Sequence, residues 1–186
     1  MKIYSYVVDH DEGREPNPYF GTCTLCRCKY SETAEKTHGQ RGRKNIVELA
    51  EKGDWVIGTG GLSGRSAGHG KLIYAMRVDE KLPREEYYND LRFAKKKPER
   101  PLNNFQKHEQ FALISEHFYY FGKKAIDILK FKLEKNPRGF HCVDLAEFDR
   151  FREWLEAKYK PGIHGEPCYL QPVDKPKGSE RCKSSC

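Results

Sequence analysis

No apolar run in this chain approaches the roughly 20 residues a membrane-spanning helix needs. The opening segment, M-K-I-Y-S-Y-V-V-D-H, carries neither the apolar core nor the small-residue cleavage site of an export signal. That segment is therefore expected to be a first strand, and the protein to be cytoplasmic with no membrane partner. No internal repeat and no Gly-, Ser- or Pro-rich linker interrupts the chain, so one domain over residues 1–172 is expected, followed by a disordered polar tail, 173–186. A P-loop is missing too, since no G-x-x-x-x-G-K-[ST] leads into a helix. Cysteine is plentiful, but its number, seven, is odd, which favours reduced thiols over a disulfide framework. Cys23, Cys26 and Cys28 form C-x-x-C-x-C, and no second knuckle repeats that spacing. A four-ligand zinc site is therefore not specified, and no metal and no cofactor is assigned.

The 186 residues that are there suffice for one good core. Hydrophobic residues make up 37% and charged residues 33%, a balance of a globular chain with a charged surface. A net charge of +7 and a pI near 9.0 suit an anionic partner, a nucleotide or nucleic acid with DNA foremost, because clustered Lys and Arg attract phosphate.

The chain centres on residues 53–80. Two strand-like runs, Trp55–Ile57 and Leu72–Val78, flank a loop with six glycines in Gly58–Gly70 that also carries Arg65, His69 and Lys71. The second run is apolar on both faces, as in a central or barrel strand. The glycines of the loop would let a ligand approach the main chain. Further strands are expected at Lys2–Asp9, Phe111–Ser115 and Phe118–Gly122. Ala125–Leu133 fits neither period, and Gly139–Cys142 reads as a turn or short strand. Helices are expected at Asn45–Lys52, at Pro83–Leu91, and from Asp144, an N-cap with Glu147 three residues on, to about Tyr159. Phe148, Phe151, Leu155 and Trp154 form the inward stripe of that last helix. Ser31–Arg43, Phe93–Pro101 and Leu102–Gln110 read as loops. F-Y-Y-F, 118–121, cannot send four rings into one core because adjacent strand residues face opposite ways.

Chemistry-bearing residues concentrate in the first loop. Asp9, His10, Asp11, Asn17, Thr24 and Lys29 surround a thiol, Cys23, and could serve acid–base or nucleophilic catalysis. Equally, such residues cap their own turns. Cys23 with His10 or His117 is the candidate nucleophile–base pair, and Asp9 the candidate general base. For a bound nucleotide, Arg65, His69 and Lys71 would meet phosphate beside Thr59 and Gly60. Trp55 with Tyr119 or Tyr120 would stack the base, and Asp9, Asn17, Thr24 and Lys29 would hold its edge or sugar.

Several of these runs, in order, resemble a known family. Y-V-V-D-H-D-E-G, P-N-P-Y-F-G-T-C-T-L-C-R-C-K, G-D-W-V-I-G-T-G-G, L-I-Y-A-M-R-V-D-E, H-F-Y-Y-F-G and the late H-G-E-P resemble nucleotide modification associated domain 2, from about Tyr4 to Pro167. The resemblance implies a role in DNA base modification systems of prokaryotes and their viruses, with other proteins of such systems as partners. A departure lies at the cysteines, where Arg27 separates Cys26 from Cys28 and Tyr30 stands in place of the family's proline. More distantly, G-D-W-V-I-G-T-G-G with K-L-I-Y-A-M-R-V is similar to the PUA-like barrels, including the EVE and ASCH groups. The expected architecture is α+β: a small, mostly antiparallel PUA-like barrel with flanking helices. The expected function is recognition or processing of a nucleotide or modified base. The alternatives are a transferase or hydrolase built on the Asp9/Cys23 loop, and a nucleic-acid-binding module with a cysteine metal staple.

Overall fold

The computed structural model describes residues 1–28, 45–96, 110–134 and 139–169. Lys29, the loop 31–43, most of the stretch 97–110 and the tail 173–186 lie outside the described residues. Among those described, the larger sheet contains β1 (Ile3–Val8), β3 (Trp55–Gly60), β4 (Lys71–Arg77), β7 (Phe118–Tyr120), β8 (Ile126–Asp127), β9 (Phe140–Cys142) and β10 (Gly162–Ile163). Its order is β10-β7-β4-β3-β1-β9, with β8 on β4. A smaller sheet has the order β2 (Cys23–Leu25), β6 (Phe111–Ser115), β5 (Glu80–Pro83). Among the described residues six of the eight strand pairs are antiparallel, so the α+β, largely antiparallel character holds. The ladder ends at β9 on one edge and β10 on the other, and no closed barrel forms among the described residues.

The two sheets are halves of one bent ribbon. Met76 stands opposite Phe118, and four residues further on Glu80 stands opposite Ile114, so β5–β6 continues the register of β4–β7 without a slip. Asp79 makes the bend. Its Oδ2 accepts Glu116 N at 2.8 Å and His117 N at 3.1 Å, donors that the interrupted ladder would leave unpaired.

Alternation along the strands divides the side chains between two cores. Tyr4, Tyr6, Val56, Tyr74, Met76, Phe118 and Tyr120 pack with Cys23, Leu25 and Leu113 of the smaller sheet, inside the bend. Ile3, Trp55, Ile57, Tyr119 and Phe121 face the other way. There α3 (Leu145–Lys158) lays down Phe148, Phe151 and Leu155. Each large side chain so buried contributes roughly 1.5–3 kcal/mol. Asp144 starts α3 by accepting Ala146 N and Glu147 N. The four aromatic rings of F-Y-Y-F thus split two and two between the cores.

Parity fails in β4. Gly58 pairs with Tyr74 but Thr59 with Leu72, so Ile73 is an extra residue. This bulge lets Leu72 and Ala75 share a face despite their odd separation. The expected helix at Asn45 shortens to α1 (Ile46–Leu49), closed by a reciprocal capping box between Asn45 and Glu48. The helix expected at 83–91 is α2 (Arg84–Asn89), running into a 3-10 turn, Leu91–Lys96. A third cluster, Cys26, Tyr87, Tyr88, Phe93, Ala112 and Ile114, lies under the smaller sheet.

Candidate functional site

Asp11 is 0% exposed, and a buried carboxylate requires hydrogen-bond donors. Other parts of the chain supply them. Tyr120 Oη donates to Oδ1 at 2.5 Å and Cys168 N to Oδ2 at 2.9 Å. The Asp11 backbone N–H donates to Arg65 O at 3.1 Å, and its carbonyl accepts Tyr169 N at 2.9 Å. The first loop, the glycine-rich loop, β7 and the segment after H-G-E-P therefore meet at one residue. Burial, with the neighbouring Asp11 charge, pushes the Cys168 thiol up to about 12 and holds the Tyr120 phenol well above its ordinary range.

The glycine-rich loop is tied down by its own backbone. A Cβ on Gly60 would come within 2.0 Å of Gly68 O, so the close approach made possible there is main chain to main chain. Ser66 Oγ accepts Gly61 N at 2.8 Å and donates to Val8 O at 2.5 Å, fixing the loop to the end of β1. Gly61 leaves room beside Val7 and Asp9. There a hollow of about 150 Å³ is lined by Val7, Asp9, Gly61, Leu62, Ser63 and His69, setting a carboxylate and an imidazole on one small cavity.

A larger cleft, of about 470 Å³, is lined by Tyr19, Lys123, Lys124, His164, Gly165 and Glu166, with Ile163 at its edge. Its wall is stitched to β7 and to the turn after it: His164 N donates to Tyr120 O at 2.8 Å and Lys123 N to Glu166 O at 2.7 Å. Gly165 and Gly122 make that closeness possible, since a Cβ on either would stand about 2 Å from a facing carbonyl oxygen. The His164 ring lies flat on Phe121, with centroids 4.8 Å apart and planes at 16°. Burial, then the charges of Asp11 and Glu166, raise the Tyr19 phenol and keep it protonated at neutral pH.

The residues expected at the site fall into two groups, with Tyr120 apart from both. Asp9, Arg65, His69 and Lys71 lie on or beside the glycine-rich loop, with Asp9 half-buried and the others exposed. Arg65 stands 4.8 Å over the Tyr169 ring, and Lys71 sits opposite Asp127 at the start of β4. His10 is exposed nearby. Asn17 pairs its backbone with Thr24, and its Oδ1 accepts Tyr19 N at 3.2 Å, forming the turn that presents Tyr19.

A second group is structural as it stands. Trp55, 2% exposed, packs 5.2 Å from Phe148 beneath α3, so neither ring face is open to a base. Tyr119 shares that core, Thr24 and Thr59 are buried, and Thr59 Oγ1 donates to Tyr6 O. Cys23 is wholly buried in the inner core, which pushes its thiol up to about 12, away from the nucleophilic thiolate. His117 contacts Trp55, Tyr119 and Glu156 on the opposite face of the sheet from Cys23. The proposed Cys23–His117 pair is not assembled. Tyr120 stands apart, because its hydroxyl reaches Asp11 while its ring is core. Lys29, as noted, is not described.

Cys23 and Cys26 enter different clusters. Among the described residues no group of three or more His, Cys, Asp or Glu could hold a metal ion.

Not legible in the sequence is a polar knot beneath the smaller sheet. Glu15 Oε2 accepts Cys26 N at 2.7 Å and Arg27 N at 3.3 Å. Burial nevertheless raises Glu15 to about 7. Lys96 Nζ donates to Asn17 O at 3.0 Å and Thr22 O at 2.6 Å, and burial lowers it to about 8. Its one sequence signal is the three-residue step from Phe93, which in a 3-10 turn puts both on one face.

Residues 1–110 and 100–173 match nucleotide modification associated domain 2, nearly the whole chain, and the protein belongs to that family. No curated protein and no solved structure matches the chain.

Proposed function

We propose, from that membership, that the domain recognises a nucleotide or modified nucleobase within a DNA base modification system, in the cleft beside Asp11. The observation that supports it is the meeting of four separate segments at one buried carboxylate, with the 470 Å³ cleft opening along two of them. Small-molecule sites commonly have a volume in this range. Tyr19 and His164 flank the base, and stacking on such rings contributes about 1–3 kcal/mol per base. The PUA-like reading of the fold belongs with this proposal, since the bent ribbon wraps a common core as a small barrel does. A thermal-shift screen of nucleosides, nucleotides and modified bases tests it. Binding raises the melting temperature with occupancy, and Tyr19→Ala removes the shift.

A second reading, an enzyme, is favoured by Asp9 and His69 lining one small hollow. Carboxylate and imidazole there could move a proton on a bound ligand. Product formation lost in Asp9→Asn while ligand binding survives distinguishes it from a binding module.

A further inference from the structure

We infer that the Lys123–Lys124 end of the large cleft is a phosphate monoester site, so that the ligand is a free nucleoside monophosphate; the nucleoside half of this rests on the reading above.

Both lysines line the cleft from the turn Gly122–Lys124, and both are exposed. Their backbone N–H groups are already committed, Lys123 N to Glu166 O and Lys124 N to Phe121 O. What remains for a ligand is two ammonium groups on consecutive residues. Lys123 is 3.7 Å from a Glu166 carboxylate oxygen, and both side chains are at least half exposed. Such a surface pair contributes little and separates readily. Lys124 has no ion-pair partner among the described residues. A phosphate monoester carries about −1.5 to −2 at neutral pH, enough to displace the Glu166 carboxylate from Lys123 and meet both ammonium groups, whereas a diester in a polynucleotide carries a single charge. A polynucleotide also spreads its phosphates along an extended basic track, whereas the lysines lining this cleft are two neighbours, Lys123 and Lys124. The wall lies close against the turn that follows β7, where Gly122 and Gly165 leave room for the facing carbonyls of Glu166 and Phe121. Tyr19 lines the same cleft and offers a phenol ring to the base. One cleft is thus bordered by ammonium groups for the charged end of a ligand and by a ring for its flat end.

Calorimetric titration of the full chain compares nucleoside 5′-monophosphates, the parent nucleosides, inorganic phosphate and a single-stranded oligonucleotide. The proteins are wild type, Lys123→Gln/Lys124→Gln and Lys123→Arg/Lys124→Arg, each checked for an unchanged melting temperature. The expected result is that monophosphates bind wild type about tenfold or more tighter than nucleosides, a typical gain for charge-assisted bonds. The Gln pair removes that advantage and the Arg pair restores it. Equal affinity for nucleosides and monophosphates, indifference to the Gln pair, or binding of the oligonucleotide alone overturns the site. Inorganic phosphate bound by wild type and lost in the Gln pair, with no added gain from any nucleoside, keeps the phosphate site and overturns the nucleotide reading.

Discussion

The Tyr120 hydroxyl donates to Asp11 Oδ1 at 2.5 Å across 109 residues of chain, and both groups are buried. This bond joins the first loop to the middle of the large sheet. Tyr120→Phe leaves a buried carboxylate short of a donor, which costs about 1–3 kcal/mol. Asp11→Asn weakens the same bond and that from Cys168 N. In a double-mutant cycle by urea unfolding the two changes are expected to be non-additive by 0.5 kcal/mol or more, as for contacting residues. Simple additivity would show that the bond does not couple the segments.

The glycines of the cleft wall make a sharper test of packing. Gly122 has φ +51°, and a Cβ there would come within 1.9 Å of Glu166 O. Gly122→Ala therefore strains the backbone and pushes 164–167 off β7, with an expected loss of roughly 1–3 kcal/mol. Gly64 has open space around it and no positive φ, so Gly64→Ala should stay within about 0.5 kcal/mol. Equal effects would mean that the wall is not held as described.

Thiol labelling separates the cysteines. Cys142 is exposed, while Cys23 is buried with its thiol pushed up to about 12. At pH 8, iodoacetamide followed by peptide mass spectrometry should mark Cys142 in the folded protein and Cys23 after unfolding. Rapid native labelling of Cys23 would revive it as a nucleophile.

Glu15 sets a pH dependence of stability. Its folded value, about 7, lies above the ordinary 4.5, so in that window the folded chain keeps a proton the unfolded chain has released. Stability is full below about 4.5 and falls as pH rises through 7, by on the order of 2 kcal/mol for this partly exposed group. Lys96, depressed to about 8 from 10.5, acts at higher pH and in the opposite sense, stability being lost as pH falls through 8. Urea unfolding at pH 5 and 7 should show the decline in wild type and a flatter profile in Glu15→Gln. A wild-type profile that rises over that range would contradict the assignment.

Strand positions were legible because β1, β3, β4, β6 and β7 are runs of β-branched and aromatic residues, and α3 because its cap and inward stripe agree. The bulge at Ile73 was not, since a single inserted residue leaves the composition unchanged while exchanging faces. Trp55 shows the same limit at the site. An aromatic residue beside a glycine-rich loop looks alike in sequence whether it lines a cleft or, as here, anchors a helix. Asp11, Glu15 and Lys96 take their character from partners brought in by folding, from as far as Cys168 and Tyr169, which no local pattern announces. The H-G-E-P run was recognisable as a motif, but its work, closing a cleft against β7, depends on Gly122 more than forty residues earlier.

Hydrogen–deuterium exchange with and without millimolar nucleoside 5′-monophosphates tests the central claim most directly. The account predicts added protection in residues 17–20, 121–124 and 162–167, around the cleft beside Asp11. Protection confined to other parts of the chain, or none with any of the nucleotides, would contradict it.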